Sequence, residues 1–246
     1  MYSESHCHLT GDVEKAVEEA RRAGVELVLA AGIDVPSSVD AIKTAEKYDI
    51  VEACVGIHPW RADEYSEEAR SRLMELARRG AVAVSEIGLD YIGRMTPEWV
   101  RTDAFIDPQI QREAFRGQLR LARELGLPVL VHDRTPRYEV LDILEDEGAT
   151  ELGAAIHGFS KGTEYAKRCF DLGLYISVGS RPLAEGREEL LEAVRRAPLD
   201  RLLTETDSGD PKGVLEVAER IAELRGLPVE EVGRAATANL RRLTGL

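Results

Sequence analysis

Cysteine is scarce in this chain of 246 residues. Cys7, Cys54 and Cys169 are odd in number, far apart and never spaced as CxxC, which argues against a disulfide framework and a thiolate zinc site. Cys54 and Cys169 read as small buried hydrophobes. No apolar run is long enough to span a membrane. The N-terminal stretch MYSESHCHLT lacks the basic-then-apolar order of a signal peptide. The chain is therefore expected to be soluble and cytoplasmic. Positive charge is also in short supply: 32 Lys and Arg stand against 45 Asp and Glu, a net charge of −13. That excludes a broadly basic face for nucleic acid. Any polyanion would have to be held locally, by metal ions or a few arginines. Glycine-rich phosphate loops are missing too, since neither GxGxxG nor GxxxxGK[ST] follows a strand.

What is present is a regular alternation. Short apolar runs predict strands at about Tyr2–Cys7, Glu26–Ala31, Val51–Ile57, Val82–Ile87, Val129–His132, Ala154–His157, Tyr175–Val178 and Leu202–Glu205. Such runs suit parallel strands buried on both faces. Segments with apolar residues three and four apart predict helices between them, and a glycine often closes the helix, as in Leu125-Gly126. Pro228 opens a last helix from about Val229 to Leu243. Eight strand–helix units in this length point to an α/β fold, a single (β/α)₈ TIM barrel over residues 1–246. A doubly wound open sheet is the rival.

All five histidines, His6, His8, His58, His132 and His157, fall at predicted strand ends. Imidazole is the commonest metal ligand and an acid or base near neutral pH. A strand has a side-chain period of two, so His6 and His8 point to one side with Glu4 behind them. Pro59 holds His58 extended, and Trp60 after it could stack on a base or sugar or pack on the rim. Glu86 ends an apolar run, where a carboxylate is costly unless paired or bound to a cation. Glu205 and Asp207 share the end of the last strand, one as ligand or base, the other as a deeper partner. Four histidines, Glu86 and Asp207 are too many ligands for one tetrahedral zinc and suit two divalent cations sharing a carboxylate. Gly158-Phe159-Ser160-Lys161-Gly162 matches the letters of a serine-hydrolase elbow, but no histidine follows it in the chain.

His6-Cys7-His8, Gly56-Ile57-His58-Pro59, Glu86-Ile87-Gly88-Leu89-Asp90-Tyr91, His132, His157-Gly158-Phe159-Ser160 and Glu205-Thr206-Asp207 together resemble the ordered motifs of TatD-type metal-dependent deoxyribonucleases. Asn239-Leu240-Arg241-Arg242-Leu243 resembles that family's C-terminal signature. The resemblance implies a barrel of the amidohydrolase-like superfamily with two divalent ions, of Zn, Mg, Mn or Co. It implies His6, His8, Glu86 and Asp207 around one ion, and Glu86, His132 and His157 around the other, with Glu86 bridging. His58 would contact substrate phosphate, and Asp207 would also orient or deprotonate the attacking water. The implied substrate is DNA, single-stranded or frayed. The chain departs from the family at Glu4, where Asp is usual, and after Asp207, where Ser208-Gly209-Asp210 stands in place of an early proline.

Two other functions stay open. One is hydrolysis of an amide, lactone or aminoacyl ester at the same site. The other is a degenerate, non-catalytic metal-binding barrel. The positions placed to grip a polyanion are Arg61, Arg94, Arg134, Lys161 and Arg181. The stretch Ile92–Asp107 reads as a long loop, either a lid or a surface insertion.

Overall fold

The computed structural model describes residues 1–93, 102 and 104–246. Arg94, and most of the long loop read as a lid or insertion, lie outside the described residues. Eight strands lie in chain order in one sheet, every neighbouring pair parallel. They are β1 (Tyr2–Cys7), β2 (Val25–Ala31), β3 (Val51–Val55), β4 (Ala81–Asp90), β5 (Val129–Arg134), β6 (Ala154–His157), β7 (Tyr175–Gly179) and β8 (Leu202–Glu205). The helices are α1 (Val13–Arg22), α2 (Val35–Lys47), α3 (Glu67–Gly80), α4 (Pro108–Leu125), α5 (Glu139–Asp146), α6 (Thr163–Asp171), α7 (Ser180–Glu185), α8 (Glu188–Arg196), α9 (Val214–Arg225) and α10 (Val229–Thr244). This is the (β/α)₈ barrel that the alternation predicts. No helix among the described residues is long and apolar enough to cross a membrane.

The seam between β1 and β8 is closed by hydrogen bonds rather than by a regular ladder. Thr204 Oγ1 donates to the Ser3 carbonyl at 2.8 Å. The Asp207 N–H donates to the His6 carbonyl at 3.0 Å, and the His8 N–H to the Ser208 carbonyl at 2.9 Å. The Glu4 carboxylate, fully buried, accepts from the Thr206 N–H at 2.9 Å and from the His6 N–H at 2.9 Å. Glu4 therefore lies behind the first-strand histidines, as its spacing predicts, and fastens both strand ends that flank the site.

Strand periodicity places the candidate residues. Leu130, Ala155 and Leu203 belong to the inner core with Leu29, Cys54 and Ala83. Leu240 and Leu243 of α10 join that cluster. Val129, Val131 and Ile156, on the opposite side of their strands, pack outward against the helices. Two residues beyond Leu130, Ala155 and Leu203 come His132, His157 and Glu205, on the same inward side and toward the C-terminal ends. Cys7, Cys54 and Cys169 are free and buried. The helix starts use local chemistry: Asp12, Asp34, Ser66 and Asp107 each accept a backbone N–H of the first turn.

Strand β4 differs from the expectation. It runs to Asp90, three residues past Ile87. The cause is Gly88, which pairs with His132 in the ladder at φ +144°. A Cβ there would lie 2.0 Å from the His132 carbonyl oxygen, so only glycine lets β4 and β5 stay paired. We expect Gly88→Ala to cost on the order of 3 kcal/mol through this clash and the strained φ. For a chain of this size that lowers Tm by roughly 6–12 °C. An unchanged thermal unfolding curve would contradict the tight ladder.

Candidate metal centre

The strand ends bring all five histidines around one carboxylate. Glu86 Oε1 lies 2.7 Å from His132 Nδ1, 2.6 Å from His157 Nε2 and 3.2 Å from His58 Nε2. Glu86 Oε2 faces the other way, 3.3 Å from His6 Nε2 and 3.5 Å from His8 Nε2. Asp207 Oδ1 completes that second side, 3.4 Å from His8 Nε2 and 3.9 Å from His6 Nε2. Glu86, His6, His58, His132 and His157 are buried, while the Asp207 side chain is 43% exposed at the mouth.

Proton positions separate the histidines by role. Nδ1 of His8 lies 3.1 Å from the Ala31 carbonyl, so it carries the ring proton and leaves Nε2 with a lone pair. In His58 the arrangement is reversed. Its Nδ1 accepts the Trp60 backbone N–H at 3.0 Å, so the proton of the neutral ring sits on Nε2 and points at Glu86. Burial pushes the His58 pKa down to about 4 and keeps the ring neutral. His58, Glu86 and His132 are close enough to share a cation, yet this tautomer makes His58 a donor rather than a ligand.

The electrostatics favour a cation at the centre. Burial would raise the Glu86 pKa, but the surrounding histidines outweigh it and hold the group well below the usual carboxylate range. Burial works against charge on His157; the Glu86 and Glu205 carboxylates outweigh that and hold its pKa up at about 10. Burial lowers the His6 pKa. His6 Nε2 and His157 Nδ1 are buried with no hydrogen-bond partner, and an orphaned buried nitrogen needs an explanation. For His6 Nε2, beside two carboxylates, a bound cation supplies one. Mixed imidazole and carboxylate donors fit a divalent first-row metal or magnesium. Two groups satisfy the geometry on the outer side, His6 with His8 and Glu86, and His6 with His157 and Asp207.

Sequence reasoning gives no role of their own to Asp90 or Arg187, and leaves open which of Glu205 and Asp207 lies deeper. Asp90 Oδ2 accepts from Trp60 Nε1 at 2.9 Å and lies 3.0 Å from His132 Nε2. Arg187 lines the mouth. Glu205, fully buried, accepts the Gly158 N–H at 2.5 Å and stands 3.7 Å from His157 Nδ1. Glu205 is thus the deeper of the two strand-eight carboxylates and Asp207 the outer one. A cavity of about 770 Å³ opens above the site, its lining including Trp60, His132, Arg134, Arg181, Arg187 and Asp207. Among the described cations read as polyanion contacts, Arg181 pairs with Glu185, and two more are paired away from the cavity. Arg61 binds Asp34 and Glu64, and Lys161 binds Asp133.

A family model described as TatD related DNase matches residues 4–245. The chain belongs to the TatD-related DNase family. The uncharacterized metal-dependent hydrolase YabD of Bacillus subtilis is 34% identical, over 99% of this chain and 98% of its own length. A Citrobacter koseri protein named 3'-5' ssDNA/RNA exonuclease TatD is 30% identical, over 96% of this chain and 94% of its own. The crystal structure of YjjV, a TatD homologue from Escherichia coli, superposes with a TM-score of 0.86 at 26% identity, covering 100% of this chain and 98% of that one. Membership in the TatD-related family agrees with the sequence motifs, every one of which lies within the matched span.

Proposed function

We propose that this chain is a deoxyribonuclease that hydrolyses phosphodiester bonds in single-stranded or frayed DNA with two divalent cations. His6, His8, Glu86 and Asp207 would hold one, and Glu86, His132 and His157 the other. The observation that carries this reading is the two-sided Glu86, whose oxygens face separate groups of histidines 2.6–3.5 Å away. Zn, Mn, Co or Mg bound there would polarise a phosphoryl oxygen and lower the pKa of a water. The chain's own groups do the rest. His58 offers a neutral Nε2–H to an anionic phosphate oxygen. Asp207, the exposed carboxylate, takes a proton from the entering water. Arg134, Arg181 and Arg187 supply positive charge on the cavity wall. Trp60 presents its ring to the same cavity, with its N–H held by Asp90.

A second reading is hydrolysis of an amide, lactone or aminoacyl ester at the same site. The net charge of −13 favours it, because little of the described mouth attracts a long polyanion. A single experiment separates them. Protein stripped with EDTA and reloaded with each metal is assayed on 3′- and 5′-labelled single-stranded oligonucleotides, and beside them on a panel of esters and amides. We expect no cleavage after EDTA and metal-restored cleavage of the oligonucleotides. Cleavage that survives EDTA would exclude the metal mechanism, and turnover confined to the carbon-centred substrates would exclude the nuclease.

A further inference from the structure

We infer that Asp90 is a positioning residue that decides which nitrogen of His132 faces Glu86 and ties the Trp60 indole to that choice. The inference rests on the reading of His132 as a metal ligand. Asp90 is fully buried, and its carboxylate serves three donors. Oδ1 accepts the Ile92 N–H at 2.9 Å. Oδ2 accepts Trp60 Nε1–H at 2.9 Å and meets His132 Nε2 at 3.0 Å. The backbone is clamped as well. Gln111 of α4, itself buried, accepts the Asp90 N–H at 2.8 Å and donates to its carbonyl at 2.9 Å. Neither the side chain nor the main chain of Asp90 is free to move away.

An ionised carboxylate only accepts hydrogen bonds. Both oxygens of Asp90 are already accepting an N–H, Oδ1 from Ile92 and Oδ2 from Trp60. The nitrogen of His132 that faces it must therefore carry a proton. In the neutral ring this leaves Nδ1 with a lone pair, 2.7 Å from Glu86 Oε1 and 3.3 Å from His157 Nε2. A lone pair facing a carboxylate oxygen is repelled by it, and a cation ligated by both atoms would relieve that repulsion. The Trp60 bond to the same oxygen couples this arrangement to the mouth, because the indole also packs 4.5 Å from the His58 ring. A carboxylate that only neutralised His132 would need neither the Trp60 bond nor the Gln111 clamp.

Asp90→Asn tests the inference at constant shape. An amide has one acceptor oxygen and one donor nitrogen, so it cannot serve all three N–H groups. If its nitrogen turns toward His132, the ring must present Nδ1–H to Glu86. We expect calorimetric titration with Zn²⁺ to give wild-type affinity for one of two ions and a 10–100-fold loss for the other, the usual range for such outer partners. Trp60→Phe removes one donor and leaves the Asp90–His132 bond, so it should change Zn²⁺ affinity by no more than about threefold on the same scale. Nitrogen-15 spectra of the Zn²⁺-loaded wild type give a reading that does not depend on any variant folding, with His132 protonated on Nε2. A His132 proton on Nδ1, or two wild-type affinities in Asp90→Asn, would overturn the assignment while leaving the metal reading intact. A wild type that binds no Zn²⁺ would overturn both.

Discussion

Glu86→Gln should lower kcat on an oligonucleotide by at least the order of a thousandfold, the upper range for removing one preorganised electrostatic group, and should leave the barrel folded. Glu86 sends Oε1 to His132 and His157, and Oε2 to His6 and His8. Glutamine keeps the shape but turns one of those oxygens into an N–H₂ donor. Whichever way the amide points, one group of histidines faces a donor instead of an anion. Bound metal should fall from two ions to one or none, as read by elemental analysis after dialysis. The fold survives because the ring nitrogens can respond. A buried imidazole that loses its anion gives up its proton instead of remaining charged. A Glu86→Gln protein that kept more than a tenth of wild-type activity would end the two-ion reading.

The chain order of strands and helices, and the convergence of His6, His8, Glu86, His132, His157 and Asp207, were legible because both follow from local periodicity. A run such as Val129-Leu130-Val131-His132 declares its inner and outer faces by its period, and eight parallel strands must then gather their ends. What was not legible depends on partners distant in sequence or on backbone detail. Asp90 reads in the sequence as part of a motif, with no role of its own, because the strand is expected to stop at Ile87. The ladder continues through Gly88 at a φ that only the missing Cβ allows. The short helix α7 (Ser180–Glu185) was likewise not expected. Trp60 is open in the sequence to stacking on a base or sugar or to packing on the rim, and only the fold shows that its N–H is held by Asp90, thirty residues away. Lys161 and Arg61 looked like cations waiting for a polyanion, yet folding brings Asp133 and Asp34 to them. Glu4 is the reverse case. It departs from the family's usual Asp, and its carboxylate joins His6 to Thr206 across the seam.

Asp207 allows chemistry and backbone to be separated with two substitutions. It has φ +52°, the one positive value among the described non-glycine residues, and its N–H bonds the His6 carbonyl across the seam at 3.0 Å. Asparagine tolerates that conformation, whereas alanine does not. Both remove the carboxylate proposed to take the proton, which faces His8 at 3.4 Å. We therefore expect Asp207→Asn and Asp207→Ala to lose activity alike, on the order of a thousandfold. Only Asp207→Ala should also carry the backbone cost of about 1–2 kcal/mol, seen as a Tm lower by roughly 2–8 °C in a chain of this length. Equal Tm values for the two variants would mean the seam relaxes around residue 207. Asparagine activity within tenfold of wild type would mean that Asp207 takes no proton, and that the base must be sought elsewhere on the cavity wall.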